Sequence, residues 1–144
     1  MRPNRQKNIQ RPFGVYAAAI VAVVNFGILN FFGNYWEISH SNGEMPFSVA
    51  YISLGLSVFT AAAAVWMLSG DNTGRLVLLV LLPLNVLWVV LWSATALLDV
   101  QPANDAAAVA ALMRQPVSGF VVAVIEWYLM TEKAVAYFKQ NDRN

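Results

Sequence analysis

The sequence predicts an all-α protein, an antiparallel bundle of four transmembrane helices with a short interfacial helix in the second external loop. Three observations predict it. Four apolar stretches, 13–32, 47–68, 76–98 and 117–138, alternate with polar connections. Each is near the ~20 helical residues that a hydrocarbon core ~30 Å thick requires. Lipid supplies no hydrogen bonds, so each stretch must satisfy its own backbone as a helix. The third observation is charge. Four crossings put Arg2, Arg5, Lys7, Arg11, Arg75, Lys133, Lys139 and Arg143 on one face and only Arg114 on the other. Basic residues in short loops stay in the cytoplasm, so the sequence predicts a multi-pass plasma-membrane protein with both termini cytoplasmic.

Residues 1–11 are polar and basic and read as a cytoplasmic leader; 12–138 form one transmembrane domain; 139–144 are a cytoplasmic tail. With 58% hydrophobic residues and 12% charged, the chain leaves no stretch for a separate soluble domain. The first span follows a basic leader, yet its apolar run exceeds the ~7–15 residues of a signal peptide, so it reads as a retained anchor. The first external loop, about 33–45, carries Tyr35 and Trp36, rings suited to the headgroup boundary, then a turn at 41–43 and Pro46 at a helix start.

The second helix repeats small residues at Ser53, Ser57 and Ala61, with Thr60 and Ala64 beside them, a spacing that lets helices approach closely. The link 69–74 is a tight turn with Gly70 as helix C-cap, making the second and third helices antiparallel neighbours. On the third helix Asn85, Trp88, Trp92, Thr95 and Asp99 share one face. That face reads either as helix packing or as an aromatic wall with a polar handle for an apolar ligand. Pro83 removes a backbone donor there and predicts a kink. Pro102 ends the helix, and Asn104 or Asp105 caps a short surface helix running to Met113 and ending at Pro116.

The fourth span carries the main chemical anomaly. Counted from Val117, Glu126 falls near the bilayer midplane, where an ionisable group normally faces protein or water. Gly119, Ala123, Glu126, Met130 and Lys133 follow one stripe, so Glu126 is expected on the close-packed face. Asn85 and Asn25 reach comparable depths and are its expected partners, with Trp88 beside them. Glu126, Asn85, Asn25 and Trp88 are therefore the candidate ligand or proton site. Glu126 either locks the helices with hydrogen bonds or binds a proton, a cation or a basic headgroup.

Several chemistries find no support. The chain has no cysteine, which removes disulfides, thiolate metal sites and thiol redox chemistry. His40 with Glu37 and Glu44 makes a poor donor set, so neither a metal site nor a cofactor is expected. No phosphate loop, nucleophile elbow or nucleic-acid surface is present in the sequence, and a lone buried acid lacks a second catalytic group.

Arg11 to Val15 at the start of the first helix, Gly55-Leu56, the 61–64 alanine run, Trp66 and Gly74-Arg75 resemble recurrent features of uncharacterised small bacterial four-helix membrane proteins. The resemblance implies the fold, the topology and a bacterial inner membrane, and transfers no site residue. Two functions follow as expectations. The first is a non-enzymatic accessory, oligomerising or lipid-associated scaffold, whose partners are membrane lipid and a second copy or another membrane protein. The second is a small transporter or channel subunit coupled through Glu126.

Overall fold

A computed structural model describes residues 12–40, 47–99 and 106–141. The basic leader, the 41–43 turn, Pro46, Pro102 and the Asn104 or Asp105 cap fall outside them, as do the side chains of Glu37, His40, Thr95 and Asp99. The described residues are helical throughout, apart from Pro12, the turn at 69–71 and a bend at Thr131. In chain order they are α1 (Phe13–Val21), a π-helical segment (Ala22–Leu29), α2 (Asn30–His40), α3 (Phe47–Leu68), α4 (Asn72–Asp99), α5 (Ala106–Met130) and α6 (Glu132–Asn141). Three stretches are long and apolar enough to cross a membrane: Phe13–Trp36, Val49–Leu68 and Asn72–Trp92. The remaining apolar stretch, Gln115–Met130, is shorter.

α3 is the central helix and packs against α1, the π segment, α2 and α4. Its small-residue stripe is what admits them. Ser57, Thr60, Ala63 and Ala64 are buried, and Ala61 meets Gly27 of the π segment. A Cβ on Gly27 would lie 2.9 Å from the Ala61 Cβ, so glycine is needed for that approach. α5 packs on α4 and, near its C-terminal end, on α1, where the Tyr128 ring fills the space beside Gly14. One core joins Val15, Ala18, Ala19, Phe26, Met67, Leu78, Leu82, Ile125, Leu129 and Phe138. Large apolar side chains such as Phe59, Val80, Phe120 and Trp127 point outward. This inside-out distribution suits a solvent as apolar as the core.

Three expectations are corrected. The first helix does not stop near Phe32; it continues to His40, so Tyr35 and Trp36 stand exposed on a helix rather than in a loop. The surface helix of the second external loop is absent as a separate element, because α5 runs unbroken from Ala106 through Pro116 to Met130. Its alanine-rich start has high helix propensity, which carries the helix on through Pro116. α4 also runs as one helix with Pro83 inside it. The apolar run 117–138 is not one helix: it breaks at Thr131, and α6 turns its Ala134, Tyr137 and Phe138 side into the core.

Candidate functional site

The polar groups of the bundle fall into three places. The first is the seam between α3 and α4. Hydroxyls inside an apolar helix satisfy themselves on the preceding turn: Ser57 Oγ donates to the Ser53 carbonyl at 2.9 Å, and Thr60 Oγ1 to the Leu56 carbonyl at 2.7 Å. Their neighbours on α4 use the oxygens left over. Asn85, 4% exposed, donates through Nδ2 to Thr60 Oγ1 at 2.7 Å and to the Leu81 carbonyl at 3.0 Å. Both amide hydrogens are thereby placed. Trp88 Nε1 donates to Ser53 Oγ at 2.9 Å. The α4 face is thus a helix-packing face, and Asn85 and Trp88 are directed at α3.

The second place is the end of the bundle formed by the α3–α4 turn, which we call the turn end. Gly70, with φ 88°, ends α3, and its N–H donates to the Met67 carbonyl at 3.0 Å. Left-handed backbone there favours glycine. The connection is tighter than the sequence suggests, because α4 already starts at Asn72. Asp71 caps it: Oδ1 accepts from the Thr73 N–H at 2.7 Å and Oδ2 from Trp66 Nε1 at 2.9 Å. The backbone hydrogen bond from Thr73, foremost, holds the Asp71 carboxyl below its ordinary value of 3.8. Gly74 lies against the α3 backbone, where a Cβ would come within 2.6 Å of the Met67 nitrogen.

One turn into α4, Arg75 is 7% exposed. Its Nε donates to Asn72 Oδ1 at 2.9 Å, Nη1 donates to the Leu129 carbonyl at 3.0 Å, and the guanidinium lies 5.6 Å from the Phe138 ring centre. The last four carbonyls of a helix lack intrahelical donors and carry partial negative charge. At the end of α5, Tyr128 takes the Thr131 N–H and hydroxyl, and Leu129 takes Arg75. Arg75 therefore ties α4, the end of α5 and α6 together. The sequence reading treated it as a topology signal. The missed clue is Thr131-Glu132, a β-branched residue and an acid that suit the start of a new helix.

The third place is the pair Glu126 and Asn25, and here the expected cluster does not form. The buried face of α5 is Val122, Ile125 and Leu129; Ala123, Met130 and Lys133 are exposed, and a Cβ on Gly119 would meet nothing within 4 Å. The expected close-packed stripe thus faces outward. α5 packs on α4 through this face, and branched side chains fill such an interface better than small ones. Glu126 is half-buried on the flank of α5. It lies four residues before the helix end, ~6 Å at 1.5 Å per residue, rather than at mid-helix. Asn25 is half-buried in the π segment, eleven residues beyond Gly14, the residue that meets Tyr128. Among the described residues no hydrogen bond joins Glu126, Asn25 and Asn85, and no group of three or more metal-binding side chains gathers.

No protein-family model matches the chain, and no curated protein or solved structure matches it.

Proposed function

We propose that this protein is a non-enzymatic, four-pass membrane bundle that works by association: an accessory subunit, a homo-oligomer or a lipid-associated scaffold. In this reading both termini are cytoplasmic, the membrane is a bacterial plasma membrane, and Gln115–Met130 supplies the fourth crossing. The observation that carries it is the outward face of α5. Gly119 and Ala123 are spaced for close helix approach, and no helix of the described chain occupies them. Glu126 borders the same face, and a carboxyl beside lipid favours a partner that can hydrogen-bond it. The polar groups of α3 and α4, by contrast, are used within the bundle, which gives the transporter reading through Glu126, Asn85 and Asn25 less support.

The absence of cysteine makes the test direct. Ala123→Cys in native membranes should form a disulfide-linked species under mild oxidation, and Phe59→Cys on α3 should not. A lone monomer from both would end this proposal. Glu126→Gln separates the two readings: association retained with Gln favours a hydrogen-bonding role. A flux across reconstituted vesicles that Gln abolishes would favour transport.

A further inference from the structure

The first helix has a polar flank that neither the core nor the proposed association face uses. No residue between Pro12 and Trp36 is charged, yet that stretch contains Asn25, Asn30 and Asn34. The π segment decides where they point. A helix continued at 3.6 residues per turn from Ala22 would bury 25–26, 29, 33 and 36. The wider turn delays the inward face by one residue. Phe26 and Gly27 are buried, Leu29, Phe32, Gly33 and Trp36 are exposed, and Asn30 and Asn34 are half-buried. Large apolar side chains go outward while three amides are held at the margin of the interior.

These amides share a flank. Gly14, Ala18, Val21 and Asn25 follow steps of four, three and four, so Asn25 continues the side of the helix that faces Tyr128 at Gly14. At Gly14 that side is sealed by the Tyr128 ring. Two turns farther, Val21 is 38% exposed, and among the described residues the π segment and α2 make at most marginal contact with α5. The flank opens as it leaves the turn end. Asn34 donates to the Asn30 carbonyl at 2.7 Å. The side-chain amides of Asn25 and Asn30 have no hydrogen-bond partner in the described chain.

An amide left unpaired in an apolar medium costs several kcal/mol. Two on one flank of a helix long enough to cross a membrane require something polar beside them. We propose that the Asn25–Asn30–Asn34 flank lines a hydrated crevice, open toward α2 and closed at Gly14–Tyr128, that binds uncharged groups able both to donate and to accept hydrogen bonds. An amide offers both functions, and no charge along the stretch is there to balance that of an ion. Water is the resident occupant. Asn25, at the narrow end, is the specificity residue, and the π segment is the device that holds it there. Association through α5 does not enter, since its outward face lies on another side of the bundle.

Cysteine accessibility distinguishes a wet flank from a lipid-covered one, because a thiol must ionise to react and an apolar environment suppresses its thiolate. Asn25→Cys, Asn30→Cys and Leu29→Cys, each in the cysteine-free chain, are treated in sealed vesicles with an uncharged methanethiosulfonate whose sugar headgroup keeps it from crossing the bilayer, applied to one face at a time. The two asparagine positions should react at least about tenfold faster than Leu29→Cys, the loss expected for each pKa unit that lipid adds to a thiol. Reaction should occur from the α2 side only. Asparagine positions as inert as Leu29→Cys from both faces would overturn the crevice. The unmodified protein gives an independent reading. Side-chain amide hydrogens of Asn25 should exchange with water much faster than those of Asn85, and equal protection would overturn the proposal without any variant.

Discussion

The turn end and the opposite half of the bundle use polar groups in opposite ways. At the turn end, a buried guanidinium, a capped helix start and a glycine against backbone tie four helices together: Arg75 on Leu129 and Phe138, Asp71 on Thr73 and Trp66, Gly74 on Met67. Around them the core is apolar, from Val15 and Met67 to Leu78 and Phe138. In the opposite half, single hydrogen bonds connect α3 and α4, and the first helix keeps amides with capacity to spare. The difference teaches where such a bundle keeps rigidity and where it keeps polar contacts to offer. A charge and a backbone approach have one arrangement each, whereas amides and hydroxyls can exchange partners.

The largest effect that tests this contrast should come from Arg75→Leu. It strands the Leu129 carbonyl and removes a charged link from α4 to the end of α5. A loss of about 3 kcal/mol is expected, the scale of an unmade hydrogen bond to a charged group. Unfolding in mild detergent measures it, and α6 should become open to limited proteolysis near Thr131. Stability within a few tenths of wild type would mean that the turn end is not locked by this residue.

Gly74→Ala should come next. Its Cβ would press on the α3 backbone, which cannot move aside as a side-chain tip can, so overpacking of about 1–3 kcal/mol follows. The same measurement serves, and a neutral result would show the α3–α4 crossing to be loose. Gly14→Ala meets only the far end of the Tyr128 ring and should cost less.

The polar half should respond more weakly. Asn85→Leu removes one bond between helices, and membrane bonds of this kind average about 0.6 kcal/mol. Pairing it with Thr60→Val in a double-mutant cycle should return a coupling near that value. A coupling as large as the Arg75 effect would erase the distinction between the halves.

The smallest effect is that of pH at the hairpin tip. The folded-state pKa of Asp71 is lowered by its hydrogen bond to the Thr73 N–H. Its stabilising contribution is therefore present above the unfolded value near 3.8 and fades as pH falls through the lower folded value. Asp71→Asn should flatten the acid limb of the stability curve slightly. An unchanged limb would show that the cap adds nothing.

Much of the turn end was legible because local rules govern it. Gly70 as a C-cap follows from turn chemistry, and the Ser53–Ser57–Ala61 stripe and the shared face of Asn85 and Trp88 follow from helical period. The end of α5 at Met130 was not legible because nothing in an apolar run marks a break without proline or glycine; the Leu129 carbonyl beside it is taken by Arg75, 54 residues away. Pro116 misled in the other direction, since the alanine-rich stretch before it has helix propensity enough to continue through the proline. The outward turn of Gly119 and Ala123 depended on which side chains α4 happened to present.

The sequence alone determined that the chain is helical, that it carries apolar stretches long enough to cross a membrane, three of which the structure keeps at that length, and that α3 and α4 form a hairpin, since length, hydropathy and turn residues are properties of neighbours along the chain. Only the tertiary structure decided which polar side chains are satisfied and which remain available. A guanidinium finds its carbonyl, and an amide fails to find one, according to the rotation and height of helices relative to each other. One π-helical segment shifts that rotation by a whole residue.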